Sequence, residues 1–344
     1  MSHITRTIFA AAIAIAASSA SRAAPGDEVY ARPGTMAAAP GTRLNLVCMG
    51  TGSPAVVFDS GFEDWAPAWA VVQPRVARFT RACSYDRAGS GFSDPGRMPR
   101  TSVRIADELR AALRSAGIPG PYILVGSAFG SYNVRTFAFR HPRDTAGLVL
   151  VDGDVVDLEP ADLQAEDNRG PVIIPPALRA CRDAIAAGRP LPLLPSRPGR
   201  PVRTCAQTFF RGLPEDQWSP ALNAALLELA RTKVAMYDSD ISEMEQTPAD
   251  EAWLQRHRRS LGARPIRVLT SLNHGVGHLE LRPPETPEQH AYQQVIAQAQ
   301  ARVLTLSSNA RQIFARHSSE YIQFDEPDTV VDAIREVFDQ SRGR

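Results

Sequence analysis

The feature that most restricts the fold of this chain is an apolar run that leads directly into a glycine-flanked turn and then into a helical pattern. Residues 122–125 are apolar, Gly126-Ser127-Ala128-Phe129-Gly130 follows, and residues 132–140 have helical spacing. A short buried strand followed closely by a helix is the repeating unit of parallel α/β sheets. The sequence therefore predicts an α/β fold with Ala128 at the apex of a sharp turn.

Strands and helices alternate on both sides of this turn. Apolar runs predict strands at residues 43–49, 55–58, 80–85, 147–151, 266–270 and 312–315, and helical spacing is found at 67–78, 287–303 and 328–338. A further helix is bounded by Thr101 or Ser102 as its cap and by Gly117 at its C-terminal end. The first two strands are joined by Gly50-Thr51-Gly52-Ser53-Pro54, which predicts a hairpin.

Residues 155–262 lose this alternation. Prolines gather between residues 171 and 201, and helical pattern returns at 221–236 and 250–259. A length of 344 residues suits one large α/β domain that carries an insertion. We therefore predict a core made of residues 24–154 and 263–344, with residues 155–262 inserted as a helical cap.

Residues 1–23 have the pattern of a secretory signal peptide. Arg6 lies in a short first region, residues 8–17 are apolar, and small residues extend to Ala23. The apolar run is too short to serve as a stable membrane anchor. We expect an exported protein, either periplasmic or secreted. In such an oxidising compartment the four cysteines favour two disulfides, but four cysteines allow three pairings and the sequence leaves the choice open.

Charge and histidine spacing limit the kinds of partner. Lys and Arg number 38 and Asp and Glu number 37, so the formal net charge is +1 and no summed field exists to hold nucleic acid. His274-Gly275-Val276-Gly277-His278 has the interval of a helical metal pair, but its two glycines argue against a helix that would align the rings. We expect a small-molecule ligand or substrate, no nucleic acid, no cofactor and no bound metal.

Several segments resemble the α/β-hydrolase superfamily. They are Val56-Val57-Phe58-Asp59-Ser60-Gly61-Phe62, Tyr85-Asp86-Arg87-Ala88-Gly89-Ser90-Gly91-Phe92-Ser93, the turn around Ala128, Gly147-Leu148-Val149-Leu150-Val151-Asp152 and Tyr321-Ile322-Gln323-Phe324-Asp325-Glu326-Pro327. The resemblance covers about residues 40–155 and 264–340. It implies a mostly parallel central sheet with helices on both faces and a cap inserted after Asp152. It also implies that Cys48 and Cys83 lie on neighbouring strands and pair, which leaves Cys181 and Cys205 to pair within the cap.

The resemblance also implies roles for individual residues. The oxyanion donors would be the backbone N–H groups of Phe62 and Phe129, which no side-chain change removes. The acid position is Asp152, with Asn273 and His274 in the alternative place. The order of turn, acid and last loop is that of the superfamily.

The nucleophile position is occupied by Ala128. A methyl group has no lone pair to attack a carbonyl carbon and no proton for a base to remove, so no acyl-enzyme can form there. Ser127 and Ser131 are close in sequence, but a shift of register would put a bulky residue where a glycine is needed. The sequence therefore predicts that the serine mechanism is absent.

The histidine position is occupied by Glu320, immediately before Tyr321. His317 is three residues too early. A carboxylate can act as a base, but facing Asp152 it would meet like charge instead of the partner that orients an imidazole. Two of the three triad positions thus differ from the superfamily pattern.

Two classes of function are compatible with this pattern. In the first, the protein is a pseudoenzyme that binds a small apolar ligand beneath its cap, or a periplasmic binding or interaction module. In the second it is an active hydrolase of esters or related carbonyl or epoxide substrates, with Glu320, Asp152 and His274 or His278 as acid, base or metal ligands, or a serine hydrolase whose natural serine has been replaced. Trp65 and Trp69, with Phe62, either wall an apolar pocket or pack between a helix and the sheet.

Overall fold

A computed structural model describes residues 26–153, 174–194, 203–209, 218–273 and 287–342. The strands are β1 Thr35–Ala39, β2 Thr42–Met49, β3 Val56–Asp59, β4 Ala82–Tyr85, β5 Tyr122–Ser127, β6 Thr145–Val151, β7 Leu193–Leu194, β8 Arg203–Thr204, β9 Ile266–Ser271 and β10 Ala310–Ala315. The helices are α1 Gln73–Val76, α2 Ser102–Ser115, α3 Gly130–Arg140, α4 Ile174–Ala186, α5 Pro220–Thr232, α6 Val234–Arg256, α7 Pro287–Ala301, α8 Ile322–Asp325 and α9 Pro327–Arg342, with 3-10 helices at Asp27–Ala31, Ala66–Trp69, Pro142–Asp144, Cys205–Thr208 and Arg302–Leu306.

The central sheet has eight strands in the order β1-β2-β4-β3-β5-β6-β9-β10. The pairs β1 with β2 and β2 with β4 are antiparallel, and every later pair is parallel. The predicted α/β fold with a mostly parallel sheet is therefore confirmed. Because the parallel strands share one direction, their carboxyl ends open on one edge, where the loops that follow them converge.

The predicted hairpin of residues 43–49 and 55–58 is wrong. β2 pairs with β1 and β4, whereas β3 lies between β4 and β5. The hairpin at this end of the sheet is instead β1 with β2, and β1 consists mainly of small residues that gave no strand signal. The disulfide Cys48–Cys83 joins directly paired positions of β2 and β4, which is the pairing that the resemblance implied.

Helices cover both faces of the sheet. On one face α2 packs on β1 and β2, and α3 packs on β5 and β6. On the other face α1 packs on β4, and α9 packs on β5, β6 and β9. The predicted boundaries of α2 are confirmed, because the Thr101 side chain accepts a hydrogen bond from the N–H of Arg104 and Gly117 has a φ of 69°.

Between β6 and β9 lies the region that the sequence predicts as an insertion. Its described residues form α4, a two-strand ribbon of β7 and β8, the 3-10 helix Cys205–Thr208, α5 and α6. The sequence predicted two separate helical segments at 221–236 and 250–259, whereas α6 is continuous through Pro248. Proline removes a helical hydrogen bond, and tertiary contacts offset this cost. Along α6 the Ser239 hydroxyl donates to the Ala88 carbonyl at 2.9 Å, Glu243 pairs with Arg87 and the Asp250 carboxylate accepts from the N–H of Ser102 at 3.0 Å. This helix therefore fastens the insertion to the core.

The second disulfide, Cys181–Cys205, connects α4 to the 3-10 helix Cys205–Thr208 within the insertion. Replacing both cysteines with alanine is expected to lower the stability of this region by about 3 kcal/mol, because the bridge closes a loop with a sequence separation of 24. Limited proteolysis and thermal unfolding of the double variant measure the effect, with reductant-treated wild type as the matched comparison. Unchanged cleavage within the insertion would contradict the prediction.

Among the described helices, none has both the length and the apolar character needed to cross a bilayer.

Candidate functional site

Ala128 lies at the carboxyl end of β5, just before α3, and has a φ of 43°. A residue with a Cβ in this left-handed region is strained, and such residues are concentrated at functional sites. Two backbone hydrogen bonds hold the turn, from the Ala128 N–H to the Val151 carbonyl at 3.2 Å and from the Ser131 N–H to the Ala128 carbonyl at 2.9 Å. Ala128 is partly exposed between two buried neighbours, so its methyl group projects from the turn.

The glycines on either side of Ala128 are required by close backbone approach. A Cβ on Gly126 would lie 2.5 Å from the Gly130 carbonyl oxygen, and a Cβ on Gly130 would lie 2.5 Å from the Asp59 carbonyl oxygen. Neither contact can be relieved by a side-chain movement, because each involves backbone. The glycine spacing therefore builds the turn, and it is independent of the identity of the apex residue.

The neighbouring serines do not take the place of the missing hydroxyl. Ser127 is 4% exposed and Ser131 is 1% exposed. The Ser131 side chain lies against Gly153, at 2.9 Å from the position a Cβ on that glycine would occupy. Both serines are thus buried on either side of the apex, whereas the position that projects carries only a methyl group.

The loop after β3, residues 60–64, lies beside the apex. The ring of Phe62 stacks on that of Phe129 with centroids 4.2 Å apart and planes at 15°. In the described part of the chain the backbone N–H groups of Phe62 and Phe129 make no hydrogen bond. Since buried N–H groups are nearly always paired, two such donors beside the apex are suited to a ligand oxygen.

Arg87, which follows β4, fixes the conformation of this loop. It is 2% exposed. Its guanidinium donates to the Ser60 carbonyl at 2.7 Å, to the Gly61 carbonyl at 2.8 Å, to Asp59 Oδ1 at 3.0 Å and to Glu243 at 2.9 Å. The C=O and N–H of a trans peptide point in opposite directions. By holding the Gly61 carbonyl, Arg87 therefore turns the Phe62 N–H away from itself.

Asp64 ends the same loop and is 7% exposed. Its Oδ2 atom and the Cβ of Ala128 both lie within 4 Å of the position that a Cβ on Gly61 would take. Among the described residues its carboxyl group has no hydrogen-bond or ion-pair partner. Burial raises the pKa of Asp64 from 3.8 to about 7; the Arg87 guanidinium opposes this rise and the negative charge of Glu320 adds to it. A large fraction of Asp64 is therefore protonated at neutral pH.

Asp152 and the loop that carries Glu320 meet at the same edge of the sheet. Asp152 is 1% exposed, and its Oδ1 accepts hydrogen bonds from the Ser271 N–H at 3.2 Å and from Gln300 Nε2 at 3.0 Å. The Ser271 hydroxyl donates to the Ser318 carbonyl at 2.9 Å, which ties the last loop to the end of β9. Glu320 is partly exposed, and its carboxylate makes no hydrogen bond or ion pair with the described residues.

Other candidates from the sequence lie elsewhere. Trp69 is fully buried, donates to the Ser60 hydroxyl at 3.1 Å and packs on Phe58, and Trp65 packs on Phe209 of the insertion. Both tryptophans are therefore packing residues. His317 is exposed, and its backbone N–H donates to Glu326 at 2.6 Å.

The histidines proposed as metal ligands, His274 and His278, lie outside the described residues. Within the described ranges, no group of three or more His, Cys, Asp and Glu side chains is arranged to hold a metal ion. Asn273, at the alternative acid position, donates through its side chain to the Ser318 carbonyl at 2.8 Å.

The sequence analysis did not identify Asp64, whose pKa is raised mainly by burial and further by the charge of Glu320. Arg87 lies in one of the segments that resemble the superfamily, so the resemblance could have identified it as a site residue. Asp64 could not be identified in this way, because nothing in its local sequence distinguishes it from a surface carboxylate.

Comparison with known proteins gives a consistent assignment of fold. No protein-family model matches the chain. The uncharacterized protein YqjL of Bacillus subtilis is 24% identical over 293 residues, covering 84% of this chain and 85% of that protein. An AB hydrolase superfamily protein of Gibberella zeae is 24% identical over 309 residues, covering 83% and 86%. A 105-residue stretch is 36% identical to the Probable transporter efuK of Hormonema carpetanum, but spans only 15% of that protein.

Solved structures of hydrolases share the fold at low sequence identity. The meta-cleavage product hydrolase CumD of Pseudomonas fluorescens IP01, a mutant complexed with acetates, has a TM-score of 0.53 and 18% identity over 90% of this chain and 98% of its own. A malate-bound thermophilic esterase of Thermogutta terrifontis has a TM-score of 0.51 and 20% identity over 90% and 98%. Strand order, the sharp turn after β5 and these solved structures together show that the chain has the fold of the α/β-hydrolases.

Proposed function

We propose that this protein is an exported member of the superfamily that binds a small molecule in the crevice above Ala128 and does not use a serine mechanism. The observation that carries the proposal is the methyl group of Ala128 at the strained, partly exposed apex of the turn. A nucleophile is needed at that point for acyl transfer. The fold retains the turn without the atom that would react.

Two features support ligand binding above Ala128, at the position where a serine hydrolase has its nucleophile. The N–H groups of Phe62 and Phe129 stand beside the apex without partners among the described residues, and they are hydrogen-bond donors for a ligand oxygen. The stacked rings of the same two residues offer an apolar surface next to these donors. The structural relatives CumD and the Thermogutta esterase carry acetate and malate, which are small molecules with carboxylate oxygens.

Export is supported by the signal-peptide pattern of residues 1–23 and by the pair of disulfides, which persist in oxidising compartments. The proposal therefore includes a periplasmic or secreted location. Fractionation of cells expressing the full chain tests it, and accumulation of the uncleaved protein in the cytosol would contradict it.

The absence of serine chemistry is tested by restoring it. On a panel of chromogenic short-chain esters we expect wild type at the buffer rate, and Ala128→Ser alone close to it, because the hydroxyl lacks a base. The double variant Ala128→Ser with Glu320→His is expected to exceed wild type by at least about 10-fold, since a nucleophile and its base act as a unit.

Two results decide against the proposal. Wild-type turnover well above the buffer rate that disappears in Glu320→Gln would identify an active hydrolase with an unusual catalytic set. Strong activity of Ala128→Ser alone would identify a serine hydrolase that lacks only its nucleophile. Circular dichroism of each variant separates loss of activity from loss of fold.

A further inference from the structure

Two carboxyl groups near the apex have no role in a serine mechanism. Asp64 is buried and Glu320 is partly exposed, and neither has a hydrogen-bond or ion-pair partner among the described residues. Leaving a carboxyl group buried without a hydrogen bond is costly. Asp64 shares its surroundings with the Ala128 methyl group, since both approach the same point above Gly61. An unpartnered, nine-tenths buried acid at this point indicates a group that meets a ligand.

The remaining contacts of the site complement these acids. The N–H group of Phe129 lies at the start of α3, where the helix dipole also favours negative charge on a ligand, and the N–H group of Phe62 lies in the neighbouring loop after β3. The crevice thus contains hydrogen-bond donors for a ligand oxygen that becomes negative. It also contains one buried acid, Asp64, and one accessible carboxylate, Glu320. The methyl group of Ala128 beneath them is unreactive.

We propose that Asp64 and Glu320 act as acid and base on a small carbonyl compound bound above Ala128, and that the protein catalyses its enolisation. This inference rests on the proposed function, because it requires a small ligand in the crevice and no nucleophile beneath it. The substrate class is a ketone or 2-oxo acid that carries a hydrogen on the carbon next to its carbonyl group.

The reaction balances without a co-reactant. The Glu320 carboxylate takes the proton from the α-carbon, and the electrons of the broken C–H bond form a C=C bond. The carbonyl π electrons move to the oxygen, which the N–H groups of Phe62 and Phe129 hold and to which Asp64 gives its proton. Return of a proton to the same carbon, together with return of the enol proton to Asp64, restores the ketone and both carboxyl groups.

The charges around Asp64 suit the role of acid. The groups that face it are Arg87, from the loop after β4, and Glu320, from the loop after β10. Burial and the charge of Glu320 keep the proton on Asp64 up to neutral pH despite the guanidinium. A carboxylic acid kept neutral beside other donors can stabilise an enolate. Glu320, which is more exposed, is the member of the pair that is available as a base.

Deuterium exchange tests the proposal without knowledge of the natural substrate. The mature wild-type protein is incubated in D₂O with cyclohexanone, acetophenone or pyruvate, and loss of the α-hydrogen signal is followed by proton NMR. We expect exchange above the buffer rate for at least one probe, and a decrease of about 100-fold in Glu320→Gln. Glu228→Gln, on the exposed face of α5, is the matched control and is expected to retain the wild-type rate.

Two changes at Asp64 separate an acid from a merely structural side chain. In wild type the exchange rate is expected to fall as the pH rises through about 7, because Asp64 then loses its proton. Asp64→Asn keeps a hydrogen-bond donor, so it is expected to retain part of the rate and to lose this alkaline limb. Asp64→Leu, which has no donor, is expected to lose about 100-fold.

The results that would contradict enolisation differ from those that would contradict the proposed function, which is ligand binding without serine chemistry. Absence of exchange with all three probes, or exchange that is unchanged in Glu320→Gln, overturns enolisation. Either result leaves the ester assays untouched, so the proposed function stands if the double variant Ala128→Ser with Glu320→His alone gains esterase activity.

Discussion

Replacing Arg87 with methionine is expected to lower the free energy of unfolding by about 3 to 5 kcal/mol. The guanidinium is almost completely buried between Asp59, at 3.0 Å, and Glu243, at 2.8 Å, and both carboxylates are themselves buried. Methionine fills a similar volume but removes all donors, which leaves two buried charges and the carbonyls of Ser60 and Gly61 without partners. The loss is measured by urea unfolding at pH 7.

Two comparisons show whether charge is the cause. Arg43→Met removes an ion pair with Asp94 in which the arginine side chain is 60% exposed, so it is expected to cost less than about 1 kcal/mol. A triple variant, Arg87→Met with Asp59→Asn and Glu243→Gln, no longer buries an unpaired charge and is expected to be more stable than Arg87→Met alone. A loss below 1 kcal/mol for Arg87→Met, or a triple variant no more stable than it, would contradict the argument.

Arg87 also links stability to the site. It holds the Gly61 carbonyl on the side away from the crevice, so the Phe62 N–H points the other way, and through Glu243 it connects this peptide to α6 of the insertion. A single buried side chain thus orients the Phe62 N–H that we propose as a hydrogen-bond donor to the ligand, and it pairs with Glu243 of α6. Movement of the insertion relative to the core would therefore be transmitted to the donor loop.

The turn and the helix ends that the sequence predicted correctly are determined by local backbone geometry. The turn around Ala128 was predicted because Gly126 and Gly130 have no room for a Cβ, and close approach of this kind leaves a fixed spacing of glycines in the sequence. The cap at Thr101 and the left-handed Gly117 were predicted for the same reason, since helix ends are determined within a few residues.

The parts that the sequence did not predict depend on contacts between distant residues. The hairpin prediction was wrong because β4 inserts between β2 and β3, and no turn residue encodes that a strand more than 30 positions later enters the gap. Asp64 was missed because its raised pKa comes first from burial, which only the folded chain creates, and then from the charge of Glu320, which is distant in sequence, while Arg87 opposes the rise. The sequence predicted separate helical segments at 221–236 and 250–259, whereas the contacts of α6 with distant residues support one continuous helix, Val234–Arg256.

Because folding raises the pKa of Asp64, the free energy of unfolding should depend on pH. The folded protein holds the proton of this carboxyl group more tightly than the unfolded chain, because its pKa rises from 3.8 to about 7 on folding. The stabilisation from this group is therefore complete below about pH 4 and is lost as the pH rises through about 7. Asparagine has nearly the same shape and does not titrate.

Asp64→Asn is accordingly expected to match wild type near pH 4 and to be more stable at pH 8, by about 2 to 4 kcal/mol. Glu320→Gln removes a charge that raises the pKa of Asp64, so it should also stabilise the protein at pH 8, and the two changes should be less than additive. Urea unfolding between pH 4 and 8 measures each difference, with Asp332→Asn on the exposed face of α9 as a control that should show no trend. If the difference in stability between Asp64→Asn and wild type stays constant from pH 4 to 8, Asp64 is ionised over the whole range. An acid that has already lost its proton at neutral pH could not serve the enolisation proposed for this crevice.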